Sequence, residues 1–546
     1  MILRMRLDRV GASAEAHAGL TCLAVFLLTV AYLLPIVPRG LNVYDEGIRL
    51  YGAQRALEGH VPYRDFFAYY APAQFYWPAF LFALFGERIL VFRIGMLVFV
   101  ALGAAALFAL GRRAGLGSIS ATVPVVALLL PLTGGDRLLV CDPSLALILA
   151  GGAVVTGGRA GGRGRYVLAG GLLGAATLFR QDFGAGGVIA GLAVITWIEC
   201  RQARGSGSAG WPTARILRAW GLLLSGITLV ALPPYLMVAW PDPRPLVHAL
   251  VVLPPRLMHY RTLPYWYTFL GSVKNVLQGT TSATTQDDLT ALMILGSPLL
   301  LAVAGRVFLT RRFRRLILES TDRQRVLLFL AFTAAGVAPY ALGRSDEYHV
   351  YPLYVITISI VTVVTASASP ALTRWRNARG AAVGALGFLV GLNLGTALGA
   401  SAALKPLDVL GATRVMVTTE KMSIAAAVGD LRASGDGRPI FVAAARHDRV
   451  HANPVILYFL ARRPSATYFF DFIPGVTTSR PVQDQIVADL RAHDVQTVLV
   501  WKAPLPEEPN PSRESSEVTV LDEYLRTAFS RVKETPSYDL LRRKSP

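Results

Sequence analysis

Long apolar runs alternate with short polar turns as far as about residue 400, after which the pattern changes. Eleven runs read as membrane spans: 19–37, 88–110, 118–133, 143–158, 166–179, 184–199, 219–240, 289–310, 326–342, 350–368 and 381–400. About 20 apolar residues in a helix cross the hydrocarbon core of a bilayer. The third to sixth runs are shorter and rich in Gly and Ala, which suits close helix packing within a bundle. The loop after the first run, 38–87, predicts two further helices. Glu46 to Leu57 carries Ile48, Tyr51, Ala53 and Leu57 at helical spacing and stops at Gly59. Pro72 to Phe85 is dense in Phe, Tyr and Trp, the residues of the headgroup zone. Both read as helices lying at the bilayer interface.

Beyond residue 402 the runs shorten. Pro439 to Ala445 and Thr497 to Trp501 read as buried strands, and Asn453 to Leu460 and Val482 to Leu490 as helices. Pro504 to Ser516 is rich in Pro, Glu and Ser and reads as a loop. The expected fold is therefore mainly α. A polytopic transmembrane helical bundle occupies 1–402, with interfacial helices in loop 38–87, and a soluble α/β domain occupies 403–546.

Composition sharpens this picture. The chain of 546 residues is 53% hydrophobic and only 16% charged, against roughly 25% charged in soluble proteins. Its net charge of +19 is a feature of loops, because Lys and Arg collect on the cytoplasmic side of membrane proteins. With no basic stripe interleaved with aromatics, nucleic-acid binding is set aside. With the N-terminus inside, the cytoplasmic segments carry the leader Arg4, Arg6 and Arg9 and then the pair Arg112-Arg113. The later ones hold Arg159 to Arg165, Arg201 to Arg218, Arg311 to Arg325, and Arg374 to Arg379. The first run lacks a small-residue cleavage site and reads as a retained span. The three cysteines, Cys22, Cys141 and Cys200, form neither a disulfide framework nor a zinc pattern.

This orientation puts every polar cluster at a span end on one face, the outer one. These are loop 38–87 with Tyr44-Asp45-Glu46, Gly134 to Pro143 with Arg137 and Asp142, and the turn Arg180-Gln181-Asp182. Loop 241–288 adds Arg256, His259 and Arg261, and the last turn adds Arg344, Asp346 and His349. Residues 403–546 fall on the same face. Carboxylates at a helix start also serve simply as caps, and span-end arginines snorkel to headgroups. The one-sided clustering of Asp45, Asp142, Asp182 and Asp346 favours a site.

The residues Asp45-Glu46, the helix ending at Gly59, Pro72 followed by Tyr76-Trp77, then Phe85-Gly86 and Arg93 resemble the first-loop pattern of GT-C membrane glycosyltransferases. They are similar above all to lipid A aminoarabinose transferases and protein O-mannosyltransferases, and to the bacterial glycosyltransferase-39-like family. Val140-Cys141-Asp142-Pro143 looks like the second Asp-Pro motif of that superfamily. The likeness is specific over roughly the first 150 residues and topological to about 400. It implies sugar transfer from a polyprenyl-phosphate donor to an outer-face acceptor in a bacterial inner membrane, with Asp45 as base. One departure is that Tyr70-Ala71 precede Pro72, where the family has a phosphate-holding Lys.

Transfer to a hydroxyl needs a base, and a carboxylate suits. A phosphate leaving group needs cations, and the planar fork of arginine suits that. The expected catalytic set is Asp45, Glu46 and Asp142. Arg137, Arg180, Arg256, Arg261 and Arg344 are donor-phosphate candidates. Tyr44, Tyr70, Tyr76, Asp182, Asp346 and His349 are substrate-binding candidates. No ligand spacing demands a metal; a divalent ion held by Asp45, Glu46, Asp142 or His349 would be Mg or Mn rather than Zn. The rival class is a transporter or flippase of a lipid-linked sugar, which would place charges near the midplane of repeated halves; no repeat is present. A membrane-anchored binding protein acting through 403–546 is a third reading.

Overall fold

The computed structural model describes residues 19–140, 142–157, 162–205, 211–278, 282–310, 320–368, 405–408, 414–417, 421–434, 437–450, 452–503, 505 and 507–544. Helix α1 (Gly19–Ile36) leads into two loop helices, α2 (Asp45–Leu57) and α3 (Ala73–Phe85). Then come α4 (Ile89–Arg113), α5 (Ser118–Leu129), α6 (Pro143–Val155), α7 (Gly164–Phe179), α8 (Gln181–Gly205) and α9 (Thr213–Ala239). The chain continues as α10 (Leu253–Arg261), α11 (Tyr265–Gln278), α12 (Ser282–Leu295), α13 (Ser297–Leu309), α14 (Thr321–Gly343) and α15 (Glu347–Ala368).

Seven described segments are long and apolar enough to cross a membrane: α1, α4, α8, α9, the stretch 288–306 across α12 and α13, α14 and α15. Ten of the eleven expected spans coincide with helices, and the eleventh, 381–400, lies outside the described residues. Helices α5, α6 and α7 have only 12, 13 and 16 residues. Their shortness follows from their position. Nearly every residue of α6 is buried, against α4, α7 and α8, so it meets protein rather than lipid along its length. Small residues make a close crossing between α7 and α9. A Cβ on Gly170 would stand 2.0 Å from the Leu223 carbonyl oxygen, and one on Gly226 2.1 Å from that of Val167.

The C-terminal residues form an α/β unit. A hairpin of β1 (Lys405–Asp408) and β2 (Arg414–Val417) precedes α16 (Met422–Ala433), β3 (Phe441–Ala444), α17 (Ile456–Ala461) and α18 (Arg480–Ala492). The chain ends with β4 (Thr497–Trp501), α19 (Val520–Ala528), β5 (Phe529–Glu534) and β6 (Tyr538–Arg543). The sheet order is β3-β4-β6-β5, with β3 and β4 parallel and the other pairs antiparallel.

The two helices of loop 38–87 differ in how far the rest of the protein covers them. Helix α3 keeps Phe80, Leu84 and Phe85 exposed, as headgroup contact requires, but α2 is buried from Glu46 to Gln54. It is pressed between α3 and α17. A Cβ on Gly47 would lie 2.4 Å from the Ile456 backbone nitrogen, and one on Gly52 the same distance from the Phe75 ring. Backbone bonds stitch the loop to the C-terminal unit. Met416 N–H donates to the Pro38 carbonyl (2.7 Å), Gly40 N–H to that of Met416 (2.9 Å), and Phe67 N–H to that of Tyr468 (3.0 Å). Tyr51 stacks on Tyr458, and its hydroxyl accepts from Ser465 N–H at 2.7 Å.

The α7–α9 crossing can be tested with two alanines on one helix. Gly226→Ala should destabilise the bundle by about 1–3 kcal/mol through overpacking. Gly221→Ala meets nothing within 4 Å and should be neutral or stabilising by up to about 1 kcal/mol. Thermal melts in detergent read both signs.

Candidate active site

The site begins at the turn between α1 and α2. The Asn42 side-chain oxygen accepts from the Asp45 and Tyr44 backbone N–H groups at 2.9 and 3.1 Å, an Asx-type turn that opens α2. The carboxylate of Asp45 is exposed to a cavity, where it accepts from the Tyr70 hydroxyl at 3.1 Å. One residue further, Glu46 turns the opposite way. It forms a two-pronged ion pair with Arg93 of α4, at 2.7 and 2.9 Å, with both side chains buried. The same guanidinium donates to the carbonyls of Val37 (2.8 Å), Arg39 (3.2 Å) and Gly40 (2.9 Å). Adjacent carboxylates thus have separate surroundings: Glu46 anchors the end of α1 to α4, and Asp45 faces open space.

From Asp45 a chain of contacts runs to the second motif. Arg49, one helical turn on, lies over the Tyr70 ring at 4.7 Å and donates to the Asp45 carbonyl at 3.1 Å. Its Nε donates to Gln74 Oε1 at 2.8 Å, and Gln74 Nε2 donates to Asp142 Oδ2 at 2.9 Å. Asp142 Oδ1 caps α6 by accepting from Ser144 N–H at 2.8 Å. Burial pushes the Asp142 carboxyl up, against the lowering pull of Arg180 and Arg49.

The cavity has a volume of about 510 Å³. Its wall includes Tyr44, Asp45, Tyr70, Asp142, Arg180, Arg261, Arg344, Asp346 and His349, so residues from each of the five expected outer segments meet here. Most of its cations are already engaged. Arg344 pairs with Asp346 at 2.7 Å and with Glu508, whose Oε2 it reaches at 2.8 Å. Arg180 makes a fork to Asp182 at 3.0 and 2.8 Å and lies 3.8 Å from the Tyr340 ring centre. Asp346 also holds His349, Nδ1 to Oδ1 at 2.6 Å. Burial alone would raise Asp346, but His349 and Arg344 outweigh it and hold the carboxyl at about 2. Arg261 differs. Its guanidinium makes no hydrogen bond among the described residues, and Tyr69, Tyr70 and Asp45 stand within electrostatic reach.

Four expected site residues lie elsewhere, besides Glu46. Arg137 packs over the Tyr348 ring at 5.5 Å, outside the wall. Arg256 lines a neighbouring cavity of about 690 Å³ with Arg64, His248 and Tyr468. Tyr76 is half-buried on α3 away from the cavity, and Asp182 reaches the site only through Arg180. Sequence reasoning missed Arg49, Gln74, Tyr340, Asp471 and Glu508. Arg49 had a signal, its i+4 spacing from Asp45. Asp471 had another, a lone carboxylate in the apolar run Tyr468-Phe469-Phe470-Asp471-Phe472-Ile473. Gln74, Tyr340 and Glu508 carried none. Among the described residues no three His, Cys, Asp or Glu side chains converge on one point.

Fold and cavity together define a polytopic, mainly helical membrane protein with a charged cavity between its loop helices and a C-terminal α/β unit. No protein-family profile and no curated protein matches the chain. Among solved structures it is similar to ArnT from Cupriavidus metallidurans bound to undecaprenyl phosphate. That likeness has 13% identity and a TM-score of 0.45, over 96% of this chain and 97% of that one. It is similar to an Archaeoglobus fulgidus oligosaccharyltransferase in complex with Zn and sulfate, at 12% identity and TM-score 0.49, over 88% of this chain and 67% of that one. A third is the mycobacterial arabinofuranosyltransferase AftD, at 14% identity and TM-score 0.48, over 97% of this chain and 40% of that one.

The two carboxylates should separate in a stability assay. Arg93→Met strands Glu46 in the interior and should cost about 3–5 kcal/mol. Arg93→Lys should recover only part, because one ammonium cannot serve a fork and three carbonyls. Asp45→Asn should change stability by less than about 0.5 kcal/mol. Unfolding in detergent, followed by circular dichroism, measures all three.

Proposed function

We propose that the protein is an inverting glycosyltransferase of the bacterial cell membrane. It moves a sugar from a polyprenyl-phosphate donor to a hydroxyl of a glycolipid, cell-wall polysaccharide or protein on the outer face. The observation that carries this reading is one cavity holding an oriented carboxylate, Asp45, and a guanidinium, that of Arg261, which makes no hydrogen bond among the described residues. The first suits a nucleophile that must lose a proton, and the second a leaving group that gains charge. The first-loop motif, with its likeness to GT-C enzymes, supports the same reading. Under it the N-terminus is cytoplasmic, and the C-terminal domain, 403–546, is periplasmic or extracellular and orients the acceptor.

In this mechanism Asp45 takes the proton of the acceptor hydroxyl as its oxygen attacks the anomeric carbon. The bond from that carbon to the phosphate oxygen breaks, and the electron pair stays on the phosphate. Attack opposite the leaving group inverts the anomeric centre. Arg261 binds the departing phosphate and takes over the task for which the family uses a lysine, with Arg49 beside it over Tyr70. Arg180 and Arg344, already paired to carboxylates, shape the wall as ion pairs. Asp142 acts as a positioning residue through Gln74 and Arg49, and Glu46 through Arg93.

The test is turnover of a labelled polyprenyl-phosphate sugar by purified protein. Asp45→Asn should lower transfer by about 10²–10⁴-fold with folded yield unchanged; full activity in this variant would sink the assignment of the base. Arg261→Gln should raise the KM for donor by about ten-fold or more, as loss of a charged hydrogen bond does. Movement of the labelled lipid across liposomes without turnover would favour the flippase instead.

A further inference from the structure

We propose that Asp471, from the C-terminal unit, contacts the substrate directly, its Oδ2 being the hydrogen-bond partner of a carbohydrate hydroxyl held beside Asp45. This rests on the transferase reading and extends it to a residue outside the first-loop motifs. Asp471 lines the same cavity as Asp45, Tyr69, Tyr70 and Arg261 and is only 3% exposed. Its Oδ2 is buried and has no hydrogen-bond partner among the described residues. Buried polar atoms in native proteins almost always have partners, since an orphan keeps the full cost of leaving water. An orphaned carboxyl oxygen on a residue that lines a cavity gains its partner when a ligand arrives and the side chain shifts to meet it.

The surroundings decide what that ligand offers. The titratable groups facing Asp471 are Tyr69 from the first loop, Arg261 from α10 and Asp45 from α2. Burial pushes the carboxyl up to about 7, with Asp45 adding to the rise, while Tyr69 and Arg261 pull it down. Below neutral pH the group is therefore mainly the uncharged acid. Its O–H donates to an oxygen, which a sugar hydroxyl supplies and a hydrocarbon does not. Above that pH it becomes an anion that cannot donate and that repels Asp45. Hydroxyls belong to both the donor sugar and the acceptor, and their separate KM values distinguish the two sources.

The site is held against movement. The Asn453 carboxamide donates to the carbonyls of Val442 (3.0 Å) and Phe470 (2.9 Å) and accepts from Phe472 N–H at 3.0 Å, bracketing Asp471 on both sides. The segment between α17 and α18 thus presents one polar side chain to the cavity from an otherwise aromatic run.

The experiment compares wild type, Asp471→Asn and Asp471→Leu in the labelled-donor assay from pH 6 to 8, with melts of each. Asp471→Leu should raise the KM of one substrate, donor or acceptor, by about ten-fold, and whichever rises carries the hydroxyl. Asp471→Asn still donates, and should stay within about three-fold of wild type at pH 6. Wild-type kcat/KM should fall about ten-fold as pH passes 7, and the Asn variant should lack that fall. A raised carboxyl pKa lowers stability at every pH above the unfolded value, so both variants should melt at or above the wild-type temperature. Unchanged KM values in Asp471→Leu, the same pH fall in Asp471→Asn, or lower melting in both variants would overturn the inference alone. A wild-type protein that neither transfers nor hydrolyses the donor would overturn the transferase reading and the inference with it.

Discussion

The arrangement of the cavity depends on one buried ion pair. Glu46 and Arg93 lie in an interior where an unpaired charge costs several kcal/mol, and every open bond of the guanidinium is filled by Glu46 or by the carbonyls of Val37, Arg39 and Gly40. That saturation fixes where α1 stops, where α2 starts and how α2 is rotated. Rotation is the decisive part. Neighbouring residues on a helix point about 100° apart, so a buried Glu46 obliges Asp45 to face the open side. The carboxylate with the apparent chemistry is aimed by the one that has none.

From that anchor the site is assembled by relays. Arg49 and Gln74 carry the geometry of α2 across to Asp142 and the start of α6, and the Asp346 turn gathers Arg344 and His349 at the start of α15. The result is a cavity rich in both signs of charge, with most arginines already matched to carboxylates. Such a lining is costly to bury and gains little stability, which fits a wall shaped for a charged ligand.

Much of this was legible in the chain. The spans could be read because apolar length reports directly on a bilayer, and the single-sided polar turns foretold which segments would meet. The pairing of Glu46 could not be read, because the Asp-Glu pair looks uniform in sequence and the partner, Arg93, lies 47 positions away on α4. The burial of α2 was also hidden, since nothing local says that α17 will press on Gly47. Strands β5 and β6 escaped notice because Arg531, Lys533, Arg542 and Arg543 interrupt their apolar positions. Arg261, whose guanidinium makes no hydrogen bond among the described residues, could not be told from its neighbours, because pairing is a property of three dimensions.

The hydrogen bonds between Pro38, Gly40 and Met416 join points nearly 380 residues apart along the chain. A contact so remote in sequence closes late, after the loop-closure entropy of everything between has been met. The first loop therefore waits, partly uncovered, through most of the protein's synthesis. Only when the last quarter of the chain has emerged and docked does the cavity gain its final wall. A truncated product would have the spans and the motif around an unfinished cavity.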